Sequence, residues 1–179
     1  ARADGHQVET VCIWDDIASA LPQNKMERRG TVGCLFTVKI AGAASELGWS
    51  LGEVVRVAQK SRDCCRTLGI AFSSCTLPGV DGPLFTLNDD EIYVGMGVHG
   101  EPGIRKESMK SANATAEIFA ETLLSDDLKL DNDDKIRLIV NSMGSTTRME
   151  LLILTRALFK SFEKRGVKIE GYDYGALST

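Results

Sequence analysis

The stretch from Ile136 to Tyr172 constrains the fold most. Ile136-Arg137-Leu138-Ile139-Val140-Asn141 reads as a strand, Ser142 to Thr147 turns the chain, and the apolar spacing predicts a helix from about Met149 to Lys164. Gly166 stops that helix in the usual position beyond a C-terminal end, and Val167-Lys168-Ile169-Glu170-Gly171-Tyr172 forms another strand. Strands alternating with helices imply an α/β fold, here a layered α/β/α-type domain with a mixed β-sheet flanked by helices. The 179 residues, 43% of them hydrophobic, suffice for one globular domain with a substantial core. The sequence contains no internal repeat or low-complexity stretch.

Upstream the punctuation is less regular. Residues 1–7 read as frayed, and the first residue, Ala1, suggests processing or excision from something longer. Val8, Val11 and Ile13 read as a strand leading to Asp15-Asp16, a carboxylate pair whose default explanation is a solvated turn or a helix N-cap. Leu35, Val38, Ala41 and Ala44 repeat at helical spacing, with Gly42 and the alanines allowing close packing. Ser50 and Glu53 form a capping box for a helix running to about Arg66, and Leu68 to Cys75 follows as a continuous apolar strand expected to be buried on both sides. Pro78, Gly79, Gly82 and Pro83 break the chain, Phe85 to Leu87 suggests a short strand, and Asn88-Asp89-Asp90 a turn. Glu107 to Leu124 has the spacing of an amphipathic helix. Ser125 to Asp134 is a polar connector whose acidic run is expected to face water, and Gly175 to Thr179 trails off.

Charge and cysteine usage narrow the function. A formal charge of -4 leaves no broad basic field for nucleic acid, and Arg28-Arg29 is too short to supply one. No apolar run approaches the roughly 20 residues needed to cross a bilayer, and no signal segment opens the chain, so a cytoplasmic protein away from membranes is expected. Cys12, Cys34, Cys64, Cys65 and Cys75 are odd in number and lack C-x-x-C spacing. Neither zinc nor a disulfide framework is implied, and most of them are expected to be buried small apolar residues.

The chemistry centres on Gly95-Met96-Gly97-Val98-His99-Gly100-Glu101-Pro102-Gly103, which sets one imidazole among four glycines after the strand Glu91-Ile92-Tyr93-Val94. Glycines let the backbone turn sharply and let a ligand come close. The only other histidine is His6, so imidazole chemistry has essentially one candidate, His99, against the alternative of a structural histidine in a glycine turn. Gly95, Gly97 and Gly100 also fit the G-x-G-x-x-G dinucleotide fingerprint. That reading requires a helix to begin there, and Glu101-Pro102-Gly103 argues for another loop.

Taken in order, six motifs resemble the substrate-binding module of dihydroxyacetone (glycerone) kinases. They are Gly5 through Asp15-Asp16-Ile17-Ala18; Arg28-Arg29-Gly30-Thr31; Lys39-Ile40-Ala41-Gly42-Ala43-Ala44; Leu77-Pro78-Gly79; the histidine loop; and Val140-Asn141-Ser142-Met143-Gly144 followed by Glu150-Leu151. The resemblance spans nearly the whole chain, and the histidine loop is its most specific part.

What the resemblance implies is concrete. His99 is the substrate-binding and catalytic residue, attacking the carbonyl carbon of dihydroxyacetone and holding it as a reversible hemiaminal. Residues 1–30 are a lead-in strand and connector from a preceding half, and 31–179 the C-terminal subdomain of the module. ATP and Mg belong to a separate nucleotide-binding module, in the same or another chain, and the parent is a cytoplasmic homodimer of glycerol metabolism that phosphorylates dihydroxyacetone or glyceraldehyde. The family's preceding half, with its own glycine-rich histidine loop and acid-base residues, is absent here, as is a Walker-type G-x-x-x-x-G-K-[ST] pattern. This chain alone is therefore expected to be inactive. The alternative is a non-catalytic triose-binding sensor or co-regulator using the same loop, and a further one is a small α/β ligand-binding domain unrelated to kinases.

Overall fold

The computed structural model describes residues 1–131 and 133–178, so Asn132 of the polar connector and Thr179 of the tail lie outside the described residues. In chain order the elements are helices α1 (Cys34–Glu46) and α2 (Leu51–Asp63), strands β1 (Ile70–Ala71), β2 (Glu91–Val94) and β3 (Arg105–Ser108), helix α3 (Ala112–Leu124), strand β4 (Lys135–Asn141), helix α4 (Arg148–Lys164) and strand β5 (Lys168–Gly175). The α/β class read from the sequence is the one adopted. Its strands divide between two sheets, an antiparallel one ordered β1-β2-β3 and a parallel pair β4-β5.

The parallel pair and its helices form the main core. Thr147 caps α4, its hydroxyl accepting from the Glu150 amide while the Glu150 carboxylate accepts from the Thr147 amide at 2.8 Å. Gly166, at φ 76°, lets the chain reverse after α4, and the Val167 amide returns to the Phe162 carbonyl. Leu151, Leu158 and Phe162 of α4 pack on Ala116 and Ala120 of α3 and on Val140 of β4. The alanines of α3 allow this close approach, and burying the three large side chains contributes about 1.5–3 kcal/mol each.

A second unit is the pair α1 and α2. The predicted capping box holds: the Ser50 hydroxyl accepts from the Glu53 amide, and Glu53 accepts from the Ser50 amide at 3.0 Å. Ala44 and Ala58 are buried, and Thr37 Oγ1 donates to Ser61 Oγ at 3.2 Å across the helix pair.

Several local expectations are corrected. Residues 1–30 contain no strand; a single bridge joins Asp16 to Thr67, and the stretch carrying Val8, Val11 and Ile13 runs without a ladder partner. The first seven residues begin with an exposed 3-10 turn at Arg2–Asp4. Of Leu68 to Cys75 only Ile70–Ala71 joins a sheet, and neither residue is fully buried, because the chain leaves the ladder at Phe72. Phe85 to Leu87 is not a strand, although Phe85 packs edge-on against Tyr93. Glu107 belongs to β3, where pairing with Ile92 overrides helical spacing, and the helix starts only after the Ser111 cap. Cys12, Cys64 and Cys75 are exposed, Cys34 is half-buried and Cys65 alone is buried. Among the described residues no helix is long and apolar enough to cross a membrane.

Candidate functional site

The histidine loop joins β2 to β3 and is therefore the tip of an antiparallel hairpin. Ile92 and Val94 of β2 are fully buried and root the loop in the fold. At the exit, the Ile104 amide donates to the Val94 carbonyl at 2.8 Å, and within the loop the Gly97 amide donates to the Glu101 carbonyl at 3.1 Å. Gly95 sits at φ 83°, where a Cβ would strike Ala18 and Ile104. Glycine is required there by both conformation and space.

His99 stands out from this base. Its side chain is 82% exposed, so the ring is open to a ligand rather than packed away. Glu101 holds it twice: Oε2 accepts from the His99 amide at 2.9 Å, and Oε1 lies 3.3 Å from Nδ1. Burial pushes the Glu101 carboxyl up, but hydrogen bonds from the backbone amides of Glu101 and His99 and from the His99 ring outweigh it and hold it below the usual carboxylate range. An ionised carboxylate only accepts, so in the neutral ring the Nδ1 facing it is the nitrogen that carries the proton and Nε2 is the one with the lone pair. The arrangement can present a nucleophilic nitrogen to an electrophilic carbon.

Beneath the loop lie residues that the sequence reading placed in water. Asp15 and Asp16 are fully buried, which corrects the expectation of a solvated turn or cap. Asp15 accepts from the amides of Thr31 (2.9 Å) and Gly33 (3.0 Å) and from the hydroxyls of Thr31 and Thr67 (2.7 Å each). Four donors replace its lost hydration. Asp16 accepts from the Ala18 amide at 3.0 Å and from Arg29 Nε at 2.9 Å. Burial raises its pKa above the ordinary value even though Arg29 pulls the other way. Arg29 continues upward, Nη2 donating to the Gly95 carbonyl at 3.1 Å and Nη1 to that of Pro102 at 3.5 Å.

The segment from Cys75 to Leu84 closes one flank. The Leu84 amide donates to the Cys75 carbonyl at 2.9 Å, and the Leu84 side chain comes within 2.9 Å of where a Gly100 Cβ would be. Leu77 and Val80 in this segment are exposed. The other motifs of the resemblance do other work. Asn141 accepts from the Leu177 and Ser178 amides and donates to the Ser178 carbonyl, tying the tail across the end of β4, while Glu150 completes a helix cap. No hydrogen bond or ion pair links them to the histidine loop among the described residues.

The dinucleotide fingerprint in Gly95, Gly97 and Gly100 is not matched by geometry, because the loop runs into strand β3 and not into a helix that could hold a pyrophosphate. These residues do not fit ATP. Among the described residues no group of three or more His, Cys, Asp or Glu is arranged to hold a metal ion.

The model of the Dak1 domain matches residues 1–179, the whole chain. The chain belongs to the Dak1 domain family. It is 35% identical over 181 residues to an L-erythrulose kinase of Pectobacterium atrosepticum, covering 99% of this chain and 31% of that protein. It is 39% identical over 171 residues to the dihydroxyacetone-binding subunit DhaK of the PTS-dependent dihydroxyacetone kinase 1 of Listeria innocua, covering 95% and 51%. Among solved structures, the dihydroxyacetone kinase of C. freundii in complex with AMP-PNP and Mg2+ superposes with a TM-score of 0.81 at 30% identity, over 98% of this chain and 32% of that one. The dihydroxyacetone kinase operon co-activator Dha-DhaQ superposes with a TM-score of 0.85 at 26% identity, over 98% and 54%. The Dak1 chain described here thus spans between about a third and about half of the relatives it matches. Its fold is that of the dihydroxyacetone kinase of C. freundii, and several of its relatives are named kinases.

Proposed function

We propose that this Dak1 domain is the ketose-capturing part of a kinase acting on dihydroxyacetone or a similarly short ketose, and that His99 binds the sugar covalently. The observation that carries this reading is the exposed ring held by Glu101 through Nδ1, which leaves Nε2 facing solvent as a nucleophile. Nε2 attacks the ketone carbon and the C=O π electrons move to oxygen, which takes a proton from water. The Nδ1 proton then leaves to solvent, and a neutral hemiaminal remains. The Glu101 carboxylate stabilises the positive charge that the ring carries between these two transfers.

Capture through the carbonyl selects by reactivity. A polyol such as glycerol has hydroxyls in the same pattern and offers no carbon for Nε2 to attack, a distinction that a merely polar pocket achieves poorly. Once held, the sugar has a terminal hydroxyl fixed for phosphorylation, which removes part of the entropic barrier. The proposal assigns phosphate donation, with ATP and Mg, to a separate module, makes residues 1–30 the connector to a preceding half and 31–179 the C-terminal subdomain, and places the parent in the cytoplasm as a homodimer. Glyceraldehyde is a second candidate substrate, since an aldehyde carbon is attacked in the same way.

Native mass spectrometry of the full-length protein tests the covalent step. Incubation with dihydroxyacetone or erythrulose should add the whole mass of one ketose, with no water lost, and His99→Ala should add none. An adduct that persists on the substituted protein would falsify the assignment.

The likeness to a co-activator favours a second reading, a sensor that binds a triose and engages a protein partner without phosphorylating it. Ketose phosphorylation by the full-length protein, supplied with its phosphoryl-donor module, separates the two.

A further inference from the structure

Arg29 is placed to hold the histidine loop from below. Its guanidinium has three nitrogens, each committed to a different part of the structure: Nε to buried Asp16 at 2.9 Å, Nη2 to the Gly95 carbonyl at 3.1 Å and Nη1 to the Pro102 carbonyl at 3.5 Å. Gly95 and Pro102 stand on opposite sides of His99 in the chain. One planar cation therefore closes the loop across its neck, and the salt bridge to Asp16 fixes the cation to the interior.

The approach is close enough to depend on Gly97. A Cβ there would meet the Glu101 carboxylate and lie 2.7 Å from Arg29 Nη1. The carboxylate that orients the His99 ring and the guanidinium that closes the loop thus border the same Cα.

We propose that Arg29, anchored by Asp16, is a positioning residue for His99, a three-pronged clamp that holds the loop neck closed and keeps the ring in its Nδ1-protonated, Nε2-outward state. The inference rests on the ketose-capture reading above and deepens it. A lysine cannot substitute, because an ammonium is a point donor and cannot span two carbonyls and a carboxylate in one plane.

The test uses Arg29→Lys, Arg29→Ala and Asp16→Asn in the full-length protein, with circular dichroism to confirm folding and adduct formation with dihydroxyacetone followed by native mass spectrometry. A folded Arg29→Lys should capture the ketose at least about tenfold more slowly than wild type, the scale set by misplacing a reacting group by a fraction of an ångström. Free guanidinium should restore part of the rate in Arg29→Ala without changing its melting temperature, which a merely structural role would not produce. Nitrogen-15 spectra of the His99 imidazole, assigned by its loss in His99→Ala, should show a single tautomer in wild type and a mixture in Arg29→Lys. If Arg29→Lys captures as fast as wild type with the same tautomer, the clamp is overturned while ketose capture stands. If wild type itself forms no adduct, the underlying reading fails instead.

Discussion

Arg28 and Asp126 meet in a two-pronged ion pair, with Nη1 2.9 Å from Oδ2 and Nη2 2.6 Å from Oδ1, although 98 positions separate them in the chain. Both side chains are buried, and Arg66 joins them, its Nε 2.6 Å from Asp126 Oδ2. The next residue after Arg28 is the loop clamp Arg29, so this pair ties the floor of the histidine site to the turn after α3. Asp126 is the one exception to the expectation that the acidic run in Ser125 to Asp134 faces water: it is buried, while Asp127, Asp131, Asp133 and Asp134 are exposed.

Asp126→Asn should destabilise the fold by about 3 kcal/mol, because breaking a buried pair leaves the Arg28 guanidinium without its counter-charge. Burial pushes the Asp126 carboxyl up, but the hydrogen bonds from Arg28 and Arg66 outweigh it and hold it well below the ordinary carboxylate range. The stabilisation is therefore fully present above the unfolded carboxylate pKa of about 3.9 and is lost as pH falls from there toward the lowered native value. Urea melts of wild type across that acidic window should lose stability more steeply than melts of Asp126→Asn. Parallel pH profiles for the two proteins would contradict the assignment.

What could be read from sequence depended on whether the signal was local. The capping box at Ser50 and Glu53, the stop at Gly166 and the strand–helix–strand run through α4 involve residues within a few positions of one another, and each was legible. The loop position and exposure of His99 were legible for the same reason, as an isolated imidazole among glycines. Asp15, Asp16 and Arg29 were visible as motif members, but their burial was not. Their partners, Thr31, Thr67, Gly95 and Pro102, lie from 16 to 73 positions away, and only the fold brings them together. β3 was missed because Arg105-Lys106-Glu107-Ser108 has no apolar alternation and is held as a strand by its register against β2. Pairs of adjacent charges, such as Asp15-Asp16 and Arg28-Arg29, were the available hint that polar residues pair internally.

Glu101→Gln should slow ketose capture by about tenfold, the scale of losing one hydrogen bond to a charged group worth about 1.5 kcal/mol. The amide can still accept from Nδ1–H, but it carries no charge to stabilise the ring as Nε2 reacts, and it can also turn its NH2 toward the imidazole. Because Glu101 is only half-buried at the loop tip, the melting temperature should stay near that of wild type. Stopped adduct-formation assays beside thermal melts separate the two effects. A capture rate equal to wild type in a well-folded Glu101→Gln would remove the carboxylate from the mechanism.

Thr147→Ala should cost about 1 kcal/mol of stability, the usual effect of removing an N-cap, since it deletes the hydroxyl that accepts from the Glu150 amide. Ketose capture by the surviving folded protein should be unaltered, because α4 serves the parallel sheet and makes no hydrogen bond to the histidine loop. Chemical denaturation and adduct formation, measured on one preparation, check both halves of this expectation.

Two glycines of the histidine loop separate stability from function. At Gly97 an added methyl meets only the far ends of Glu101 and Arg29, side chains that can swing aside, so Gly97→Ala should fold with little loss yet present His99 wrongly. At Gly103 the methyl would strike the Val94 carbonyl and come within 3.0 Å of the Met96 amide nitrogen, both backbone at the root of the hairpin. Backbone there is held by the buried strand β2 and cannot yield without disturbing the core. Gly103→Ala should therefore lower the melting temperature clearly, while Gly97→Ala should lose most of its capture rate at nearly unchanged melting temperature. If Gly97→Ala captured normally, the close seating of Arg29 and Glu101 around that Cα would have no bearing on the site.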